Sequence, residues 1–244
     1  MINPVFLLLL VIVLPSVIII GLILITNKKR NVYYDKLFSP LGLIGKSYAL
    51  GAGKQYEGIS AGRKTKIIIT RKTKRMVYPA PMVSVAGGTA GVRQCAGETI
   101  WITIEAPFSH FVSLVAKTLK GISTYDQMQL NNPITQKIVG GIKDWAMAKD
   151  HAKLLLNISP ELSNFDVYSN EEVWAKRLLN NAAAIKIALE LLNFKPAFGI
   201  SHFAVKPGCV DFRITTSLSQ LSTETIKEWF DAINNFIQIA ETIN

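Results

Sequence analysis

Residues 98–105 read Glu98-Thr99-Ile100-Trp101-Ile102-Thr103-Ile104-Glu105, and this stretch carries the clearest structural signal in the chain. Isoleucine occupies every second position, and threonine or tryptophan occupies the positions between. Successive side chains of a β-strand point to opposite faces of its sheet, so this period of two predicts a strand buried on one face. Such half-buried strands are typical of antiparallel sheets.

Extended segments on either side of this strand form two predicted hairpins. Residues 54–71 contain two arms joined at Ser60-Ala61-Gly62, and residues 71–75 are predicted to form a basic turn. Residues 76–85 are then extended again, and residues 87–91 form a glycine-rich loop. Residues 200–205 and 210–215 flank Pro207-Gly208, a pair suited to a type II turn.

Helices are predicted mainly in the second half of the chain. Residues 108–119 and 138–148 have amphipathic patterns, and Ser169 with Glu172 forms a capping box before a helix that reaches Leu192. A last helix begins near Ser222 and repeats apolar residues at helical spacing. Because strands and helices are segregated more than alternated, the sequence predicts an α+β fold with a mainly antiparallel sheet and packed amphipathic helices.

The N-terminal segment is predicted to be a single transmembrane anchor. Residues 5–25 contain no charge, and their 21 residues match the roughly 20 that a helix needs to cross a hydrocarbon core. A basic cluster, Lys28-Lys29-Arg30, follows. The positive-inside rule then places the N-terminus outside and the folded domain in the cytoplasm, at the plasma (inner) membrane. No small-x-small cleavage site follows the run, so we expect the anchor to be retained.

The anchor divides the chain into three parts. Residues 1–30 are the anchor with its basic flank, residues 31–53 a juxtamembrane connector, and residues 54–244 the soluble α+β domain, with a possible subdivision near 107–165. The connector is too apolar for a free linker, and Pro40 and Gly42 are expected to break any continuous helix.

The positive charge of the chain is concentrated near the anchor. The net charge is +10, and residues 1–120 hold 16 basic residues against 4 acidic ones, whereas residues 121–244 hold 11 against 13. Basic residues close to anionic headgroups contribute on the order of 1 kcal/mol each. We therefore predict a membrane surface of anionic lipids as the partner, with a solvated basic face that has no partner as the alternative. The predicted contact residues are Lys28, Lys29, Arg30, Arg63, Lys64, Lys66, Arg71, Lys72, Lys74 and Arg75.

Several other chemistries are disfavoured by the sequence. Residues 42–47 end like a phosphate-binding loop, but Pro40 stands where that loop needs a glycine. The histidines are far apart, neither cysteine lies near one, and no nucleophile elbow is present, so no cofactor or metal is expected. Nucleic-acid binders interleave basic residues with aromatic ones, whereas Arg63–Arg75 interleaves isoleucine and threonine.

Two patches resemble a family of uncharacterised bacterial membrane-associated proteins, a domain of unknown function. One is Tyr56-Glu57-Gly58 with Gly62-Arg63, an alternating strand and a basic cluster. The other is Phe165-Asp166-Val167, followed by a helix, a hairpin and a final amphipathic helix. The resemblance implies an α+β domain near a membrane and supplies no catalytic residues.

These observations favour a non-catalytic accessory or scaffold subunit of a membrane complex, with other membrane-protein subunits as partners. A membrane-tethered enzyme remains an alternative, with a site assembled from dispersed residues such as His110, His202 and Asp166. A nucleic-acid-binding domain is the third hypothesis.

Overall fold

The computed structural model describes residues 4–48, 53–77, 91–116, 151–155, 158–193, 202–217 and 220–243. Within these ranges, the side chains of residues 4–12, 48, 72–77, 91–96 and 116 are not described. The described residues form an α+β fold in two layers, in which helices cover one face of an open antiparallel sheet. The predicted fold class is confirmed in this respect.

Nine strands of the described chain form one sheet, in the order β1-β2-β3-β4-β9-β8-β5-β7-β6, and every neighbouring pair is antiparallel. The strands are β1 Ile44–Tyr48, β2 Gly53–Ser60, β3 Arg63–Val77, β4 Gly91–Glu105, β5 Val112–Ala116, β6 Lys153–Leu155, β7 Phe165–Ser169, β8 His202–Lys206 and β9 Cys209–Thr216. The alternating stretch 98–105 lies in β4, between β3 and β9. Both predicted hairpins are present, as β2–β3 and β8–β9.

Four α-helices occur among the described residues: α1 Pro4–Phe38, α2 Glu172–Asn180, α3 Ala182–Asn193 and α4 Thr223–Ile243. The core lies between the sheet and these helices. On β4 it receives Ile100, Ile102 and Ile104, all fully buried. Phe203 and Phe212 of β8 and β9 stack edge-on against Phe236 and Trp229 of α4, with ring centroids 4.7 and 5.6 Å apart. The predicted apolar stripe of the last helix is therefore confirmed as core.

The predicted connector differs from the structure. Helix α1 continues to Phe38, a 3-10 turn covers Ser39–Leu41, and β1 follows as an edge strand. Tyr34, Leu37 and Phe38 are buried in the main core, so the apolar residues of the connector are packing residues of the domain. Gly42, with φ +73°, ends the turn, so Pro40 and Gly42 do end the helix, but only after it has entered the core.

Among the side chains that the structure describes, no helix presents an apolar stretch long enough to cross a membrane. The first eight side chains of the predicted anchor, residues 5–12, are not among them. The anchor therefore stays a prediction.

The helix predicted over residues 108–119 is wrong. Residues 112–116 form β5, which pairs with β8 on one side and β7 on the other. Each residue from Phe111 to Val115 is buried, because helices cover one face of β5 and a second apolar cluster of Phe111, Val115 and Tyr168 covers the other. A strand buried on both faces lacks polar alternation, and its apolar run then resembles a helix. The helix predicted over 138–148 lies outside the described residues.

The predicted capping box is displaced by two residues. Glu171 caps α2 by accepting a hydrogen bond from the Val173 amide, while Ser169 ends β7 and donates to the Phe111 carbonyl. The single helix predicted to Leu192 is also divided in two. Asn181 breaks it, and its side chain accepts hydrogen bonds from the Ala183 and Ala184 amides at the start of α3. Asparagine is a preferred residue at such a helix start.

The predicted basic turn at residues 71–75 is a strand. β3 continues to Val77 and pairs with residues 91–98 of β4, with a bulge between Lys72 and Thr73. Within the described ranges, β2 pairs with β3 as far as Thr70, and β9 pairs with β4 from Glu98 onward. Residues 71–77 and 91–97 therefore leave the sheet as a two-stranded ribbon. Residues 78–90, which include Pro79, Pro81 and most of the predicted glycine loop, lie outside the described residues.

Gly97 occupies the root of this ribbon. Its φ is +141°, and a Cβ atom there would lie 2.6 Å from the Thr216 carbonyl oxygen of β9. Only glycine adopts this conformation without strain, and only glycine leaves room for the neighbouring backbone. The position therefore fixes how β4 passes the end of β9.

Gly97→Ala is expected to reduce the free energy of unfolding by about 2 kcal/mol or more, because it combines strained φ with a backbone clash. Gly62→Ala is the control, since Gly62 has φ +77° but a Cβ atom added there would meet no other atom within 4 Å. We expect that variant to lose only about 1 kcal/mol. Chemical denaturation followed by tryptophan fluorescence measures both, and equal losses would contradict the role of Thr216.

Candidate membrane-facing site

Helix α1 changes character close to Asn27. From Val13 to Ile25 its large apolar residues are exposed on every side of the helix. From Asn27 onward it contributes buried residues to the domain, and it is continuous through this change. The end of the domain where α1 enters it is the candidate site, because the predicted anchor and the predicted lipid contacts meet there.

A buried ion pair holds α1 at this end. Arg30 Nε lies 3.7 Å from Glu98 Oε1, and both side chains are almost fully buried. Glu98 is the residue of β4 at which pairing with β9 begins. Arg30 also donates a hydrogen bond to the Asn27 side chain one turn earlier. Burial raises the pKa of Glu98, while a hydrogen bond with Tyr34 and the charges of Arg30 and Arg71 oppose that rise. The hydrogen bond from Tyr34 and the guanidinium of Arg30 together offset part of the cost of removing this carboxylate from water.

A second polar cluster lies one turn further along α1. Asp35 accepts hydrogen bonds from Lys54 Nζ and from the Tyr56 hydroxyl of β2, the latter at 2.9 Å. Lys54 is only 5% exposed, and it also donates to the Asn31 carbonyl. Burial and the bond to Asp35 raise the pKa of Tyr56, so it stays a neutral donor. Phe38 packs against the Tyr56 ring with centroids 5.0 Å apart, so polar and apolar contacts fix the same turn of helix.

The predicted basic residues lie in three places in the structure. The first group is on α1. Lys28 and Lys29 are exposed on α1 beside the apolar segment, as a lipid contact requires. Arg30 differs from the prediction, since it is buried against Glu98 and lies inside the domain.

The second group lies at the opposite end of the domain. Arg63 bonds both carboxylate oxygens of Glu241, near the end of α4, at 2.9 and 3.0 Å. Lys64 lies 3.9 Å from Glu105, and Lys66 lies 3.4 Å from Glu57. These three residues follow the β2–β3 turn, whereas Arg30 lies at the level of residue 71. Their carboxylate partners and their position make them poor candidates for headgroup contacts.

The third group belongs to the ribbon. Arg71 is exposed and is paired in register with Glu98. The backbones of Lys72, Lys74 and Arg75 continue β3 beyond the sheet, and their side chains lie outside those described. Arg93, which the sequence prediction did not include, stands opposite Arg75 in the register. Strand pairing alone reveals that residue, because 18 positions separate the two arginines.

The residues of the dispersed enzyme hypothesis are not brought together among the described contacts. The His110 ring packs against Trp174, with centroids 5.3 Å apart. Asp166 and His202 occupy strands on either side of β5, and both are in register with Val115, which separates them. Asp166 borders a cavity of about 510 Å³ lined mainly by apolar residues of β6, β7 and the 3-10 turn Pro160–Leu162, and neither histidine lines it.

His202 has a different partner, which sequence reasoning missed. Its Nε2 lies 2.7 Å from Ser113 Oγ of β5. Burial, together with the nearby charges of Lys206 and Arg213, lowers the pKa of His202 to about 4, with Asp211 opposing that shift. A neutral histidine beside a serine hydroxyl can act as a general base, but Ser113 is 0% exposed and no described cavity reaches it. The hydrogen bond therefore serves to pair two enclosed polar side chains on the sheet face away from the main core.

The structure also explains the glycines that resemble a phosphate loop. Residues 44–47 of this stretch belong to strand β1, whereas a phosphate loop leads into a helix. A Cβ atom at Gly45 would lie 2.6 Å from the Tyr56 ring. Close packing on an aromatic ring therefore accounts for Gly45. Within the described part of the chain, no three side chains of the histidine, cysteine, aspartate and glutamate types are grouped to hold a metal ion.

Comparisons with known proteins give one similar fold. No family model matches the chain, and no curated protein matches it at a significant level. Among solved structures, the chain is similar to the crystal structure of the mycobacterial trehalose monomycolate transport factor A, TtfA, with 11% sequence identity over 84% of this chain and 90% of that chain and a TM-score of 0.44. A similarity at this level assigns neither a family nor a function, and the resemblance to a domain of unknown function stays a prediction.

Arg30→Met is expected to reduce the free energy of unfolding by about 3 kcal/mol at neutral pH, because it leaves the buried Glu98 without its main counter-charge. The loss should shrink as the pH falls, since a protonated Glu98 needs no cation and its pKa is already raised in the folded protein. Denaturation at several pH values measures both effects.

Lys29→Met is the matched control for this variant. It removes one positive charge from the same turn of α1 but affects an exposed residue, so we expect a change within about 0.5 kcal/mol. A loss in Arg30→Met that equals the control, or that does not depend on pH, would contradict the buried pair.

His202 is expected to make the protein less stable as the pH falls from about 6.5 to about 4. Its pKa is lower in the folded protein than in the unfolded chain, so the unfolded chain binds the extra proton in that window. Relative to His202→Gln, whose amide can still bond Ser113, the natural protein should lose about 2 kcal/mol more over this range. Parallel pH dependences of the two proteins would rule out a neutral, enclosed His202.

Proposed function

We propose that this protein is a single-pass membrane protein whose cytoplasmic α+β domain acts as a non-catalytic accessory or scaffold subunit of a membrane complex. The N-terminal part of α1 is the anchor, and the N-terminus lies outside. The partners are other membrane-protein subunits and anionic lipids. No cofactor is required for this role.

The continuity of α1 is the observation that carries the proposal. Its exposed apolar segment ends at Ile25, and its first buried residue in the domain is Asn27, with no break in the helix between them. A helix that is apolar on all sides needs either a protein core or a bilayer around it. Uncharged residues 5–12 precede the exposed segment in the sequence and extend it to the length of a membrane span.

The same continuity favours a scaffold over a loosely tethered domain. A flexible linker would let the domain move away from the membrane, whereas a helix rises about 1.5 Å per residue and leaves almost no distance between residues 25 and 27. The two polar clusters at Arg30 and Asp35 fix its direction relative to the sheet. A domain held at one distance and in one orientation suits a subunit that positions partners in the same membrane.

The buried Ser113–His202 pair supports the non-catalytic part of the proposal. A serine hydroxyl hydrogen-bonded to a neutral histidine is a pairing that can generate a nucleophile, yet Ser113 has no exposed surface through which a substrate could reach it.

Ile18→Arg with Leu22→Arg is expected to move the full chain from the membrane pellet to the soluble fraction of expressing cells after alkaline extraction. Two arginines near the middle of the span cost about 2.5–3.5 kcal/mol each on the insertion scale. Both residues are more than half exposed and make no core contact, so the domain should stay folded. Val173→Arg, at an equally exposed apolar residue of α2, is the control and should remain in the pellet.

The orientation can be tested in a background without native cysteines. An impermeant maleimide added to intact cells should label a cysteine placed at position 2 and should label one at position 173 only after lysis. Pelleting of Ile18→Arg/Leu22→Arg with natural efficiency, or labelling of position 173 in intact cells, would overturn the anchor or its orientation respectively.

A further inference from the structure

The ribbon formed by residues 71–77 and 91–97 leaves the domain at the end where α1 enters. Two levels of contact along α1 establish this. Arg30 of α1 meets Glu98, which is in register with Arg71. Asp35 meets Lys54 and Tyr56, which are in register with Ile69 and Ile67.

The direction of the ribbon follows from the same contacts. Beyond the end of α1, the segment at Gly42 and Leu43 meets Gly58, which is in register with Thr65. As α1 proceeds from residue 30 into the domain, its contacts therefore move back along β3 from residue 71 towards residue 65. The part of β3 that follows Arg71 therefore leaves the domain on the same side as the apolar part of α1.

The ribbon is basic and carries no acidic residue. Its two strands contain Arg71, Lys72, Lys74, Arg75 and Arg93, and the sequence has no acidic residue between Glu57 and Glu98. Seven residues of strand extend about 23 Å at roughly 3.3 Å per residue. The bulge at Lys72 and Thr73 bends the ribbon where it leaves the sheet.

One pairing in the ribbon brings two basic positions together. The register places Arg75 directly opposite Arg93. Like charges opposite each other destabilise a strand pair, and a two-stranded ribbon has little other stabilisation of its own. An anion shared by the two arginines removes this repulsion, and arginine pairs well with phosphate.

We infer that the β3–β4 ribbon is a headgroup-binding arm, which binds the phosphates of anionic phospholipids through Lys72, Lys74, Arg75 and Arg93. The inference rests on the proposed function, because α1 brings the ribbon to the membrane surface. It also revises the predicted lipid contacts. Arg93 joins them, while Arg30, Arg63, Lys64 and Lys66 make ion pairs within the domain.

The test uses the full chain reconstituted in vesicles, with a bimane label on Gln94→Cys in a Cys95→Ser/Cys209→Ser background. The vesicles contain phosphatidylcholine alone or with increasing phosphatidylglycerol, and all contain a lipid with a nitroxide on its headgroup. We expect quenching of the label to rise with phosphatidylglycerol. It should fall as salt is raised from ~0.1 to ~1 M, because the Debye length shortens from about 10 to about 3 Å.

Replacing Lys72, Lys74, Arg75 and Arg93 together by glutamine should shift the phosphatidylglycerol content for half-maximal quenching beyond the highest content tested, since four basic residues at about fivefold each contribute several hundredfold together. The matched control replaces Lys64, Lys66, Lys176 and Lys227 by glutamine, which removes the same charge from elsewhere on the domain. It should retain the natural response.

The outcomes separate this inference from the proposed function. A chain that resists alkaline extraction but shows quenching independent of phosphatidylglycerol overturns the arm and leaves the anchor. A chain that binds only phosphatidylglycerol vesicles and is released by salt supports the arm and overturns the anchor. Equal shifts in the ribbon variant and the control overturn the arm. So does a single-stranded oligonucleotide that displaces the label from phosphatidylglycerol vesicles at physiological salt.

Discussion

The buried pair between Arg30 and Glu98 joins α1, which carries the exposed apolar segment, to β4, an interior strand of the sheet. Two charges removed from water are stable only when they stay together, so this contact ties the position of α1 to that of β4. The Asp35 cluster adds a second polar contact one turn later. The same stretch of α1 packs into the main core through Tyr34, Leu37 and Phe38. The second half of α1 is therefore part of the domain, and whatever surrounds its first half is held against that domain.

This arrangement gives the domain two different ends. At one end α1 and the ribbon project, one apolar and the other basic. At the other end the β2–β3 turn closes on α4 through Arg63 and Glu241, and each basic residue there has an acidic partner nearby. Charge is thus neutralised within the domain at the β2–β3 turn, whereas the sequence of the ribbon at the other end contains basic residues and no acidic one. The net charge of the chain alone does not reveal this division.

Sequence patterns predicted the strands, turns and helices whose conformation is set by neighbouring residues in the chain. The alternation at Ile100, Ile102 and Ile104, the Pro207-Gly208 turn and the stripe of α4 each determine their own structure. The pattern failed at β5, where burial on both faces removes alternation, and at Asn181, where one capping side chain divides a helix that apolar spacing alone makes continuous. The pairs Arg30–Glu98 and Ser113–His202 join residues far apart in sequence, so no spacing rule could find them.

The position of β4 in the sheet has a consequence for biosynthesis. Its neighbour β9 is synthesised about a hundred residues later, which takes several seconds or more at about 5–20 residues per second. Until then the backbone edge of β4 that later pairs with β9 has no partner strand, and Glu98 lacks the folded surroundings that bury it. The apolar start of α1 leaves the ribosome long before that moment. The sheet is therefore completed only after the whole of α1 has been synthesised.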